Sequence, residues 1–185
     1  YNKPSQKEIS QRKLETYEKY CKIIQWGRGD PVKFCGRFMG IELLDIQKFA
    51  IYNSWVRDFN LWLESRNAGK TTQLAIYPML RSLLIPFHVT YYIGNSGDQA
   101  KESFKKLEKI AKREIESFVG STDIFFNELK KNGATSDGFV HNPASFTLQL
   151  FNGSEINTLN SDITNIKGKR ANLIGFDEAG WFSDE

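Results

Sequence analysis

Hydrophobic positions along this chain change period several times, and each change marks an element. Ile9, Leu14, Tyr17, Cys21 and Ile24 recur at approximately helical spacing behind Pro4 and a capping box, Ser5-Gln6-Lys7-Glu8, so residues 5–25 are predicted to form a helix. Gly27-Arg28-Gly29-Asp30-Pro31 then supplies the glycines and proline that end one. A second helix is predicted over Asp45–Val56, and the apolar run Phe59–Leu63 reads as a strand. Lys70–Leu84 is again helical in pattern, with a kink or break predicted at Pro78, which lacks an N–H and crowds the preceding turn. Phe87-His88-Val89-Thr90-Tyr91-Tyr92-Ile93 reads as a buried strand that leaves through Gly94-Asn95-Ser96-Gly97, where Ser96 or Gly97 opens the next helix.

That helix, Asp98–Phe118, is predicted to be amphipathic, with Phe104, Leu107, Ala111 and Ile115 on one face and Lys101, Lys105, Lys109 and Lys112 on another. Glu102, Glu108, Glu114 and Glu116 are interspersed, which favours a solvated face over one that grips nucleic-acid phosphates. Further on, Phe146–Phe151 alternates apolar with polar, and Asn152-Gly153 separates it from Ser154–Leu159, a hairpin pattern. Asn160 to Lys169 is a polar loop, after which Ala171–Phe176 runs apolar but for Asn172, as in a parallel strand buried on both faces. With strands near 59–63, 87–93, 146–151, 154–159 and 171–176, the predicted fold is α/β, a three-layer domain with a mostly parallel sheet flanked by helices. Residues 41–185 form its core, and residues 1–40 an N-terminal helical appendage.

Composition adds little to this picture. The 185 residues are 40% hydrophobic and 25% charged, ordinary usage for one domain with a core, and a net charge of +3 permits contact with nucleic acid without demonstrating it. Cys21 and Cys35 belong to no Cys-x-x-Cys and no histidine cluster, so reduced thiols in a cytosolic protein, and no zinc, are expected. No stretch approaches the length of a membrane span, and the start, Tyr1-Asn2-Lys3-Pro4, lacks a signal peptide's apolar segment; a soluble intracellular protein is expected. His88, within an apolar strand, reads as a core or edge residue without chemistry.

Candidate chemistry is concentrated in two places. Glu64-Ser65-Arg66-Asn67-Ala68-Gly69-Lys70-Thr71-Thr72 lies between a predicted strand and a predicted helix, where backbone N–H groups and a helix N-terminus converge on one point suited to a phosphate. Lys70 adds a charge there, and Thr71 a hydroxyl for magnesium. The pattern G-x-x-x-x-G-K-[ST] has glutamate, Glu64, in place of its first glycine. The second place is the end of the last apolar strand, Asp177-Glu178, at the sheet edge where open α/β folds collect ligands. Asp177 is a candidate magnesium ligand, directly or through water, and Glu178 a candidate for polarising an attacking water.

These residues resemble the large terminase subunits of tailed bacteriophages, ATPase motors that package DNA, over Leu43 to Glu185. The family's phosphate loop has the form Ser-Arg-x-x-Gly-Lys-Thr without the leading glycine, and Ser65-Arg66-Asn67-Ala68-Gly69-Lys70-Thr71 is similar to it. An upstream glutamine that contacts adenine is matched by Gln47, and a Gly-x-Arg before the acidic strand by Gly168-Lys169-Arg170. The resemblance implies a P-loop NTPase of the ASCE type that hydrolyses ATP with Mg2+ and couples turnover to movement of double-stranded DNA. It implies Arg66 as a catalytic arginine sensing the γ-phosphate, Arg170 as a further sensor or trans-acting arginine, and Ser65, Arg66, Asn67, Ala68, Gly69, Lys70, Thr71 and Thr72 as the nucleotide loop with Gln47. The partners it implies are the portal protein of a prohead, the small terminase subunit and neighbouring copies in a ring, in the host cytoplasm. The family's nuclease domain is expected beyond Glu185. Two other readings use the same residues. A superfamily 2 helicase also has an upstream glutamine, Gly-Lys-Thr and Asp-Glu-Ala, here Asp177-Glu178-Ala179, and a non-hydrolysing, nucleotide-dependent DNA-binding module would retain the loop without turnover.

Overall fold

The computed structural model describes residues 6–65, 68–94, 96–131, 135–160 and 168–177. In chain order these form helices α1 (Gln6–Gly29) and α2 (Pro31–Phe34), a π-helical turn (Cys35–Met39), helices α3 (Asp45–Val56) and α4 (Lys70–Leu84), strand β1 (Val89–Gly94) and helix α5 (Gly97–Ala111). A 3-10 turn (Glu116–Phe118), helix α6 (Ile124–Asn127) and strands β2 (Phe139–His141), β3 (Phe146–Gln149), β4 (Glu155–Asn160) and β5 (Leu173–Phe176) follow. The predicted capping box at Ser5 and most of the predicted loop 160–169 lie outside the described residues.

The sheet has the order β2-β3-β4-β1-β5. Its centre is parallel, β1 pairing with β4 and with β5, while β3 runs antiparallel to both β4 and β2. The fold is therefore α/β with a mixed sheet, more antiparallel than the apolar runs suggested. The hairpin forms as expected: Leu150 N–H donates to Ser154 C=O at 2.9 Å, and Gly153 adopts φ +82 in the turn, with the Phe87 ring close against it.

The predicted strand at 59–63 does not form. Phe59, Leu61 and Leu63 are 95%, 76% and 85% exposed, and Trp62 turns inward to donate its indole N–H to Ser54 Oγ at 2.9 Å. A short apolar run is compatible with a strand, but a strand also needs a ladder partner, and none of the described strands pairs with this segment.

Ladder register sorts the strand residues by face, since paired residues point the same way. Phe139, Leu148, Ile156, Thr90 and Leu173 share one face with His141, Phe146, Thr158, Tyr92 and Gly175. Helices α4 and α5 pack there: Phe104 of α5 meets the Phe139 and Phe146 rings edge-on, and Leu74 of α4 sits over Tyr92 and Gly175. On the opposite face, among the described residues, only Ile93 is buried; Ile174 and Phe176 are 45% and 53% exposed. The described helices thus cover one face, not the two that three layers require.

Helix α4 runs through Pro78 without the predicted break. Proline at this position cannot donate to the carbonyl four residues back, Leu74 C=O, and that carbonyl instead accepts the Tyr92 hydroxyl at 2.8 Å. Burial of Tyr77, Pro78, Met79 and Leu80 supplies the packing that holds the helix. Helix α5 ends at Ala111, short of the predicted Phe118. Arg113 takes φ +61 there, with Arg113 N–H on Ile110 C=O and Glu114 N–H on Lys109 C=O, a Schellman end without its usual glycine. At its start Ser96 caps the helix, its hydroxyl accepting Gln99 N–H at 3.3 Å while Gln99 Oε1 accepts Ser96 N–H.

Helix α1 continues through Gly27, where the predicted stop falls; glycine there serves packing, since a Cβ would strike Leu84 and Phe34. Phe34, Cys35, Met39 and Ile41 join the same core as Leu80 and Leu84. Burial pushes the Cys35 thiol up to about 12, so it packs as an inert small hydrophobe. Among the described residues no helix is long and apolar enough to cross a membrane.

Candidate functional site

The candidate phosphate loop is held from both sides by side chains. Glu64, at its entry, accepts the buried Gln73 amide on both carboxylate oxygens at 2.9 Å. Ala68 N–H then donates to Ser65 C=O at 3.3 Å, and Gly69 swings to φ +89 before α4 begins at Lys70. Two constraints require glycine at that position. The backbone is left-handed, and a Cβ there would lie 2.7 Å from Gln47 Nε2. Gln73 N–H closes the first helical bond onto Gly69 C=O at 3.0 Å. The N-cap of α4 is Gly69, which has no side chain to bond the amides of the first turn, and such a helix start suits an anion. Lys70, Thr71 and Ser65 are exposed, while Thr72, Ala68 and Gly69 are partly buried.

Gln47 lies in the first turn of α3, as expected, but it is buried at 8% exposure. Its Oε1 accepts Leu44 N–H at 3.0 Å and its Nε2 faces Gly69, so the amide joins α3 to the loop.

The acidic end of β5 is positioned by the ladder. Register with β1 runs from Thr90↔Leu173 to Ile93↔Phe176, and Asp177 N–H continues it onto Ile93 C=O at 3.2 Å. Ser103, buried on α5, donates its hydroxyl to Asp177 Oδ2 at 3.0 Å. Tyr92 lies beneath; burial first, and then the Asp177 carboxylate, raises its phenol well above the ordinary tyrosine value.

Leu74, in the second turn of α4, touches both Tyr92 and Gly175, near the C-terminal ends of β1 and β5. The N-terminus of α4 and Asp177 therefore share one sheet edge, bringing Gly69, Lys70 and Thr71 to the side where Asp177 stands. Arg170 is exposed and precedes β5, at the opposite end of that strand from Asp177. Arg66, Asn67 and Glu178 lie outside the described residues.

No protein-family profile matches this chain, and no curated protein is significantly similar to it.

No group of three His, Cys, Asp or Glu side chains among the described residues forms a metal cage. Magnesium at nucleotide sites is commonly held by one or two protein groups together with phosphate oxygens, and Thr71 and Asp177 at one edge are a donor set of that kind. Three of the four lysines of the predicted basic row are in ion pairs: Lys101 with Asp98, Lys105 with Glu102, and Lys112 with both Glu108 and Asp137. His88 is buried at 4% exposure, and burial, then the Arg81 charge, lowers its pKa to about 4. A cavity of about 800 Å³ beside Tyr17, Cys21, Phe38 and Leu83 opens at the far end of α4, away from the loop.

Sequence reasoning missed Gln73, Ser103 and Tyr92. Only Tyr92 left a trace, because Pro78 implies an undonated carbonyl at Leu74 that some hydroxyl must satisfy. Ser103 reads as one more small residue on a helix face, and Gln73 as a polar residue in a helix.

Proposed function

We propose that this chain is the ATPase domain of a viral DNA-packaging motor, of the kind its motifs resemble, coupling ATP hydrolysis to translocation of double-stranded DNA into a prohead. The observation that supports the reading is that the N-terminus of α4, bearing Gly69-Lys70-Thr71, and Asp177 lie toward the same end of the sheet. Phosphoryl transfer to water depends on positioning and charge neutralisation more than on covalent chemistry, and such an edge offers both. In this reading Lys70 and the loop amides hold the β- and γ-phosphates, and Gln47 offers adenine its amide, whose oxygen already accepts one bond from Leu44 N–H. Thr71 and Asp177 hold magnesium, which would neutralise phosphate charge. Glu178 orients the attacking water, and Arg66 donates to the γ-phosphate with a planar, bidentate group. Arg170, at the far end of β5, suits contact with a neighbouring subunit better than with its own nucleotide. Portal protein, small terminase subunit and a ring of copies complete the proposed machine.

The test is ATP hydrolysis by the full-length protein, as wild type and Glu178→Gln, with and without linear duplex DNA and empty proheads. DNA-end-dependent turnover with prohead-dependent protection of DNA, both lost in Glu178→Gln, is the expected result. Turnover driven by single strands with duplex unwinding would make the protein a helicase, and nucleotide binding without turnover a nucleotide-dependent binding module.

A further inference from the structure

Glu64 occupies the position that a phosphate loop ordinarily gives to glycine, and a carboxylate so close to an anion site opposes the ligand the site would bind. Its surroundings resolve the conflict. Gln73 is completely buried on the first turn of α4 and directs its amide nitrogen at both oxygens of Glu64, 2.9 Å from each. An ionised carboxylate only accepts, so the nitrogen end of the amide must face it. That orientation leaves Gln73 Oε1 buried without a partner among the described residues, and an unsatisfied buried acceptor is unfavourable in itself. The tie to Glu64 is thus retained at the expense of the other end of the same side chain. It also spans the loop, joining the residue where the loop begins to the helix it leads into, while Gln47 braces Gly69 from the side of α3.

Resting on the nucleotide-binding reading above, we propose that Gln73 and Glu64 are positioning residues for phosphate binding. Gln73 holds the Glu64 carboxylate against α4, so that the loop amides and Lys70 meet the nucleotide phosphates without a competing negative charge. Released from Gln73, the carboxylate swings over the loop and competes with phosphate for the same N–H groups.

Calorimetric titration of the full chain with Mg-ATPγS, and separately with adenosine, tests this in wild type, Gln73→Leu, Glu64→Gln and the double variant, with circular dichroism to confirm folding. Gln73→Leu is expected to weaken Mg-ATPγS binding about tenfold, the scale of one unscreened charge near the phosphates, while leaving adenosine unchanged. The double variant is expected to return to within about twofold of Glu64→Gln, because the charge that Gln73 restrains is gone. If Gln73→Leu does not fold, Gln73→Asn, which keeps the amide but shortens its reach, replaces it with the same expectations. Equal Mg-ATPγS affinity in wild type and the Gln73 variant, or a loss that Glu64→Gln does not recover, overturns the proposal. A wild-type protein that binds no nucleotide would instead overturn the ATPase reading on which it rests.

Discussion

The candidate phosphate loop and the acidic end of β5 lie toward the same end of the sheet, but they are held there by different means. Asp177 is carried by backbone: four paired positions between β1 and β5 and a further N–H on Ile93 C=O set its place, and Ser103 only orients its carboxylate. The loop has no strand behind it in this structure. Side chains hold it, Trp62 on Ser54, Glu64 on Gln73 and Gln47 against Gly69. A ladder spreads its support over many main-chain bonds, whereas a side-chain tie fails with one substitution. Single mutations should therefore disable the loop far more readily than they displace the acid.

The largest expected effect removes the scaffold under both regions. His88 is held neutral in the fold with a pKa near 4, against 6.5 when free, so the unfolded chain binds the extra proton between those values. Stability from this group is complete above pH 6.5 and is lost as pH falls toward 4, by on the order of 3 kcal/mol. Urea melts at pH 7 and pH 4.5 should show this loss, and a His88→Gln chain should show a flatter dependence. Gly69→Ala separates the regions. A left-handed alanine and a displaced Gln47 amide together should cost about 2 kcal/mol and abolish measurable nucleotide affinity, with the β1–β5 ladder still protected in amide exchange. Tyr92→Phe acts at the joint between them: Leu74 C=O loses its donor and stays buried, for an expected loss of about 1–2 kcal/mol in a thermal or urea melt.

Legibility in the sequence follows the same division. Local chemistry was readable: α3 and α4 begin and end where their patterns predicted, the Asn152-Gly153 hairpin forms, Ser96 caps α5, and the apolar run after Ala171 becomes a parallel strand ending at Asp177. What depended on partners was not. The run at 59–63 has a strand's apolarity without a ladder to join, and β2 is too short at three residues to show a period. Leu173–Phe176 is an apolar run, yet Ile174 and Phe176 stand half exposed, because composition does not report which faces neighbours cover. Pro78 was read as a breaker from local sterics alone; a tyrosine from β1 supplies what the helix lacks. Within the candidate site, Lys70, Thr71 and Asp177 were visible from type and spacing, whereas Gln73 and Ser103 act through contacts that have no sequence pattern.

The most direct test of a single site built from these two regions is the magnesium dependence of ATPγS binding, measured by calorimetry in wild type and Asp177→Asn. If the loop and Asp177 act together, magnesium tightens binding in the wild type by about tenfold or more, and Asp177→Asn loses that gain while its magnesium-free affinity stays unchanged. Magnesium tightening that persists unchanged in Asp177→Asn would separate the acid from the loop and contradict the account.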